Sequence, residues 1–223
     1  MDSTYKRNIE SKKLQYIKKL YAEDDVILEG VERSISENNL RPINISSVEG
    51  KILRIILKIH NVQKMVEIGT LAGYSAINLA RALPEGGILY TFEMEEKCAR
   101  IAQENISNSD VAAKVKVITG NAHHNLKGIE GEAPFDAIFI DAEKQGYPDY
   151  LAWAEKNIRK GGLIIGDNTF LFGAVFDDEI AKNEPPKLVA AMKNFNNTLA
   201  DKERYDSIIL PTEEGLTIAI KKF

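Results

Sequence analysis

The apolar positions of this chain change period near residue 65. Before it they recur at helical spacing. Ile9, Leu14, Ile17, Leu20 and Tyr21 fall on one face of a helix over residues 3–21, with lysines on the other. A second helix is predicted over residues 24–38, and Pro42 keeps the residue before it out of helical backbone. A third starts at Ser46 or Ser47 as cap, with Glu49 nearby, and carries Ile52, Leu53, Ile55, Ile56, Leu57 and Ile59.

From residue 65 onward short continuous apolar runs alternate with helical segments. The runs are 65–68, 88–92, 116–118, 135–140 and 163–165; the helices are 74–83, 95–106 and 147–158. This alternation implies a mainly parallel sheet. The run 135–140 is nearly all apolar, as a strand covered on both faces should be. Residues 170–186 are irregular and apolar at Phe170, Leu171, Phe172 and Phe176, a loop of the kind that covers sites. A helix over 187–199 leads to strands 207–210 and 216–221. Their short connection makes them a hairpin, so one of the pair runs antiparallel. No repeat, low-complexity run or long linker divides the chain. It reads as one α/β domain over 1–223, with a helical cap (1–60) and a doubly wound core (61–223).

The chemistry gathers at the predicted strand ends. Ligands of such sheets bind outside the carboxyl ends of the strands. Gly69 and Gly73 let backbone approach a ligand there. Their G-x-x-x-G spacing is not the dinucleotide pattern. Glu67 would hold an ammonium and repel a pyrophosphate, so a zwitterion or cation fits better than a dinucleotide; a glycine turn with no ligand is the plainer alternative. Glu93 stands 24 residues after Gly69, at the tip of the second strand. It is placed to accept ribose hydroxyls, or else to start the next helix. Asp141, Asp167 and Asn168 end the fourth and fifth strands. Two carboxylates and an amide carbonyl are hard ligands that suit Mg²⁺ or a similar ion and not zinc. Turn chemistry alone explains Asp167 and Asn168, but not why the fourth strand also ends in an acid. Lys144 follows Asp141 by three residues, so a helix or turn brings its amine to the same ion. Like charge disfavours the protonated amine, which could then act as a base; taken alone, it reads as a solvated lysine. His123 and His124 lack a third ligand and read as surface or helix-start residues.

Composition narrows the picture. The chain has 223 residues, 44% hydrophobic and 28% charged, which fits a folded, soluble domain. No apolar run approaches the ~20 residues of a membrane span, and the N-terminus lacks a signal-peptide core. One cysteine, Cys98, forms no internal disulfide and reads as a packing residue, which fits a cytoplasmic setting. The net charge of −4 argues against strong nucleic-acid binding. Residues 1–20, however, carry six basic and two acidic side chains, a net +4. That face reads as solvated, or as a clamp for an anionic substrate or RNA.

Together these segments resemble the metal-dependent class I S-adenosylmethionine O-methyltransferases, the group of catechol and caffeoyl-coenzyme A O-methyltransferases, over roughly residues 40–223. The carriers are Val66-Glu-Ile-Gly-Thr-Leu-Ala-Gly-Tyr-Ser75, Phe139-Ile-Asp-Ala-Glu-Lys144 with Tyr147 and Tyr150, and Gly161-Gly-Leu-Ile-Ile-Gly-Asp-Asn168. Phe195-Asn196, Leu210-Pro211 and Gly215-Leu-Thr217 complete them. The resemblance implies a Rossmann-like sheet of seven strands, one reversed, and a homodimer. It implies that Glu67, Gly69, Thr70 and Ser75 hold the methionine part of S-adenosyl-L-methionine and Glu93 its ribose. Ala122 and Asn121 would border the adenine, Asn44 would touch the amino-acid end, and Asp141 would stand beside the cofactor. Asp141, Asp167 and Asn168 would bind Mg²⁺, or another divalent cation such as Mn²⁺ or Ca²⁺, and Lys144 would be the base. Leu171 stands where the family often has tryptophan, Ala174 where it has arginine, and Glu213-Glu214 where it has Gly-Asp; the first two would border the acceptor. The implied reaction moves a methyl group to one hydroxyl of a vicinal-dihydroxy aromatic small molecule, of catechol or caffeoyl type. The rivals are a tRNA hydroxyuridine O-methyltransferase and a non-catalytic cofactor-binding module.

Overall fold

A computed structural model describes residues 12–223. The strands are β1 (Lys64–Ile68), β2 (Ile88–Glu93), β3 (Val115–Thr119), β4 (Phe135–Ile140), β5 (Ile158–Gly166), β6 (Tyr205–Leu210) and β7 (Leu216–Lys221). They form one sheet in the order β3-β2-β1-β4-β5-β7-β6. Strands β1 to β5 pair in parallel, and β7 runs antiparallel to both β5 and β6. The reversed strand of the C-terminal hairpin is therefore β7, inserted between β5 and β6.

The helices are α1 (Lys12–Tyr21), α2 (Val26–Glu37), α3 (Ser47–Ile59), α4 (Tyr74–Ala80), α5 (Glu96–Ser107), α6 (Ala122–Asn125), α7 (Tyr147–Asn157), α8 (Asp178–Ala181) and α9 (Pro186–Leu199). Alternate strand residues feed a core on each face of the sheet. Met65, Leu89, Ala137, Phe139, Leu163 and Ile165 pack with α2, α3, α4 and α5. Val66, Ile68, Phe92, Ile138, Ile140 and Ile164 pack with α6, α7 and α9. Each fully buried Val, Leu, Ile, Met or Phe side chain among them contributes roughly 1.5–3 kcal/mol. Leu28, Val31, Ile35, Leu53 and Leu57 of α2 and α3 share the first core, so these two helices are built onto the sheet.

Local chemistry sets the boundaries. Asp25 caps α2 by accepting from Ile27 N and Leu28 N. Ser46, rather than Ser47, caps α3 and forms a reciprocal capping box with Glu49. The helix predicted over 3–21 begins outside the described residues, and its described part, Lys12–Tyr21, is helical. It packs on α3, with Leu20 and Tyr21 52% and 66% exposed. Two helix ends are corrected. The helix predicted over 74–83 ends at Ala80, where Ala82 N bonds Leu79 O and the chain leaves in a tighter turn. The helix predicted to Ile158 stops at Asn157, and β5 starts at once. Ile158 fits the helical period, but pairing with Phe135 and burial in the second core decide its state; a register shift before Ala137 absorbs the glycines. The segment 170–186 holds a single turn, Leu171–Gly173, and the short α8.

Candidate active site

The parallel ladder continues one step past the strands. Gly69 N donates to Phe92 O at 2.9 Å, Asp141 N to Ile68 O at 2.9 Å, Gly120 N to Glu93 O at 2.7 Å and Asp167 N to Ile140 O at 2.9 Å. Gly69, Glu93, Asp141 and Asp167 thus leave the sheet on one level, as the sheet rule predicts.

On the β1–β2 side Glu67 is fully buried. Its Oε2 accepts from Thr91 Oγ1 at 2.6 Å, while its Oε1 is buried without a hydrogen-bond partner. Burial pushes this carboxyl up to about 8; Asp141 and Glu93 act in the same direction, and the Ser75 and Thr91 hydroxyls oppose them. A bound cation or N–H donor would supply what Oε1 lacks. Gly69 has φ +97°, and a Cβ built there would lie 1.9 Å from the Asp141 carbonyl oxygen. The glycine lets the β1–α4 turn press against the end of β4.

Glu93 takes the helix-start role that the sequence offered beside a ribose contact, and it has a second role in the fold. Its Oε1 accepts from Glu95 N at 2.9 Å, at the start of α5, and its Oε2 from Thr70 N at 3.2 Å and Leu71 N at 2.7 Å. A carboxylate has about four acceptor sites, so capacity for a hydroxyl donor remains. The grip on the β1–α4 turn is invisible in the sequence, because it depends on the register of β1 against β2. Thr70 and Ser75 are buried beside it. Ala122 is buried at the start of α6, and Asn121 caps that helix by accepting from His123 N at 2.8 Å. Asn44 lies half-buried before α3, its amide donating to Ile45 O at 3.2 Å.

On the β4–β5 side a single turn, Lys144–Gly146, folds the lysine back over the strand ends. Lys144 Nζ lies 2.6 Å from Tyr147 Oη, 3.2 Å from the Asp167 carbonyl and 3.4 Å from Asp141 Oδ1. Asp167 is buried, and its Oδ1 has no hydrogen-bond partner. Burial holds its carboxyl well above the usual range, and Asp141 and Glu49 add to this against the pull of Lys144. Asn168 sits beside it in left-handed backbone at φ +52°, which asparagine tolerates. The next residue fastens the segment: Thr169 N and Oγ1 both donate to Gly215 O at 3.0 Å, Thr217 Oγ1 reaches Thr169 Oγ1 at 2.8 Å, and Asn196 Nδ2 reaches Thr169 O at 2.8 Å. Among the described residues no three His, Cys, Asp or Glu side chains gather as metal ligands; Asp141, Asp167 and Asn168 offer two acids and an amide. His123 and His124 lie in α6, with His123 stacked on Tyr150 and 3.0 Å from Glu143 Oε1.

A buried cluster of acids and one lysine at the ends of parallel strands is shared by many enzymes. The profile of the O-methyltransferase family, however, matches residues 18–222. The chain belongs to the O-methyltransferase family. It is 36% identical over 214 residues to a catechol O-methyltransferase of Niastella koreensis, covering 93% of this chain and 95% of that one. It is 33% identical to a catechol O-methyltransferase of Mycobacterium tuberculosis, over 77% of this chain and 76% of that one. Among solved structures, the O-methyltransferase from Bacillus cereus in complex with SAH superposes with a TM-score of 0.86 at 37% identity, covering 93% of this chain and 96% of that one. In this O-methyltransferase Leu171 and Ala174 are buried in the second core, while Phe172 and Phe176 of the same segment are 40% and 69% exposed. Among the described residues, no helix is long and apolar enough to cross a membrane.

Proposed function

We propose that this O-methyltransferase moves the methyl group of S-adenosylmethionine to one hydroxyl of a vicinal-dihydroxy aromatic small molecule, with a divalent cation beside the acceptor. The observation that carries the reading is a pair of buried carboxylate oxygens without partners, on Glu67 and Asp167, on the two sides of one crevice. Buried carboxylates left unpaired are costly, and two different cationic partners would satisfy them. Glu67 is suited to the cofactor's ammonium, with Thr70, Ser75 and Asn44 around its amino-acid end. Glu93 is suited to the ribose and Ala122 with Asn121 to the adenine.

Asp141, Asp167 and Asn168 would hold the cation, which their hard oxygens fit. Such an ion, when bound, supplies Lewis-acid polarisation of a hydroxyl. Tyr147, buried and hydrogen-bonded, fixes the Lys144 amine at the crevice. Lys144 Nζ would take the hydroxyl proton, and S-adenosylmethionine, when bound, would supply a sulfonium methyl for the acceptor oxygen, leaving as the thioether. Holding both partners in register supplies much of the rate. The segment carrying Phe172 and Phe176 offers apolar surface for the aromatic ring.

A radiolabelled methyl-transfer assay with a catechol, its monohydroxy analogue and undermodified tRNA tests the reading. Label should enter the catechol and neither of the others. The competing reading draws on Lys12, Lys13, Lys18 and Lys19 in α1. Label found only in tRNA, and lost on reversing the charge of Lys12 and Lys13, would replace the small-molecule acceptor with RNA.

A further inference from the structure

Three side chains behind the cofactor side form a hydrogen-bonded relay. Thr91 lies opposite Glu67 in the β1–β2 register and is fully buried. Its Oγ1 donates to Glu67 Oε2 at 2.6 Å and lies 2.5 Å from Thr70 Oγ1. Each hydroxyl carries one proton. When Glu67 is ionised it cannot donate, so the Thr91 proton points to Glu67. Thr91 must then accept from Thr70, and the Thr70 proton points inward. The lone pairs left on Thr70 Oγ1 and the partnerless Glu67 Oε1 both remain available as acceptors. Two acceptors, one from the end of β1 and one from the turn that follows it, match a ligand ammonium with several donors.

We infer that Thr91 is a positioning residue for the cofactor's ammonium: without touching the ligand, it orients ionised Glu67 and turns Thr70 into an acceptor. The inference rests on the S-adenosylmethionine reading above. Two further charged groups act on Glu67, Asp141 from the end of β4 and Glu93 from β2, and Ser75 of α4 offers a hydroxyl. None of these is altered by a substitution at Thr91. A merely structural role for Thr91 would affect packing and melting but would leave the pH at which the ligand binds unmoved.

The test is calorimetric binding of S-adenosylhomocysteine to the full chain from about pH 6 to about pH 8.5, for the wild type, Thr91→Val and Thr91→Ser. This ligand keeps the ammonium but lacks the sulfonium charge that would ease its deprotonation. Wild-type affinity should rise with pH toward the Glu67 midpoint at about 8. Thr91→Val should bind about tenfold more weakly at neutral pH, with its midpoint moved up so that affinity is still rising steeply at the top of the range where the wild type levels off, because a donor to the ionised form is lost. Thr91→Ser, which keeps the hydroxyl, should restore both. If Thr91→Val does not fold, Thr91→Ala carries the same expectation. A valine variant with wild-type affinity and midpoint overturns the inference alone. So does equal weakening of the valine and serine variants at an unmoved midpoint. A wild type that binds no S-adenosylhomocysteine at any pH overturns the cofactor reading together with it.

Discussion

Gly69→Ala tests whether the first glycine is there for backbone reasons or for contact with the neighbouring strand. A Cβ at this position would lie 1.9 Å from the Asp141 carbonyl oxygen and 2.9 Å from its carbon, where 3.4–4 Å is ordinary contact. The turn and the β4 end must part by about 1.5 Å, and neither is a flexible side chain. Strain at φ +97° costs roughly 1–2 kcal/mol, and forcing a methyl into packed backbone roughly 1–3 kcal/mol more. Gly86 is the control. It has φ +77° and nothing within 4 Å of a built Cβ, so Gly86→Ala bears the strain alone. At roughly 2–4 °C per kcal/mol for a chain of this size, Gly86→Ala should lower the melting temperature by about 4–5 °C and Gly69→Ala by about 10 °C. The displaced Asp141 backbone should also cost about a hundredfold in methyl transfer, the usual penalty for a misplacement near 1 Å. Equal melting shifts for the two alanine variants, with methyl transfer intact in Gly69→Ala, would refute the close-contact explanation.

The cofactor-free protein should lose stability through Glu67 as pH rises. Its folded value of about 8 lies above the ordinary 4.5, so the native state favours the protonated carboxyl. The contribution is complete below about 4.5 and is lost at about 1.4 kcal/mol per pH step as pH rises through about 8. Chemical denaturation of the wild type and Glu67→Gln across this range should show the two curves diverging; parallel curves would remove the assignment. Glu93→Ala should weaken S-adenosylhomocysteine binding about tenfold or more by calorimetry, since it removes both a ribose acceptor and the grip on Thr70 and Leu71; unchanged affinity would exclude the ribose role. Lys144→Met should lower turnover about 10²–10⁴-fold while S-adenosylhomocysteine still binds. Near-wild-type turnover in that variant would leave Lys144 a structural lysine.

The alternation of apolar runs and helical segments was enough to read the sheet's parallel part, because strands buried on both faces are near-continuously apolar. Residues at the strand ends were legible for the same reason: Glu67, Glu93, Asp141 and Asp167 interrupt those runs at fixed places. What the sequence could not show depends on register. Thr91 is one hydroxyl within a buried strand, and only its pairing opposite Glu67 gives it a partner. The hold of Glu93 on the β1–α4 turn is likewise a cross-strand contact between residues 22 and 23 apart in sequence. Ile158 satisfied the helical period as well as the strand, and tertiary pairing with Phe135 decided between them. Within the apolar loop the sequence does not show which side chains turn inward: the left-handed turn at Leu171 and Phe172 buries Leu171 and exposes Phe172.

Metal dependence of catechol methylation bears most directly on the central claim. In the proposed reading, the partnerless Asp167 Oδ1 beside Asp141 and Lys144 takes up the divalent cation. Protein stripped with EDTA should transfer no methyl group from S-adenosylmethionine to a catechol, and Mg²⁺ should restore transfer in the wild type but not in Asp167→Ala. Full turnover by thoroughly stripped wild-type protein would contradict the account.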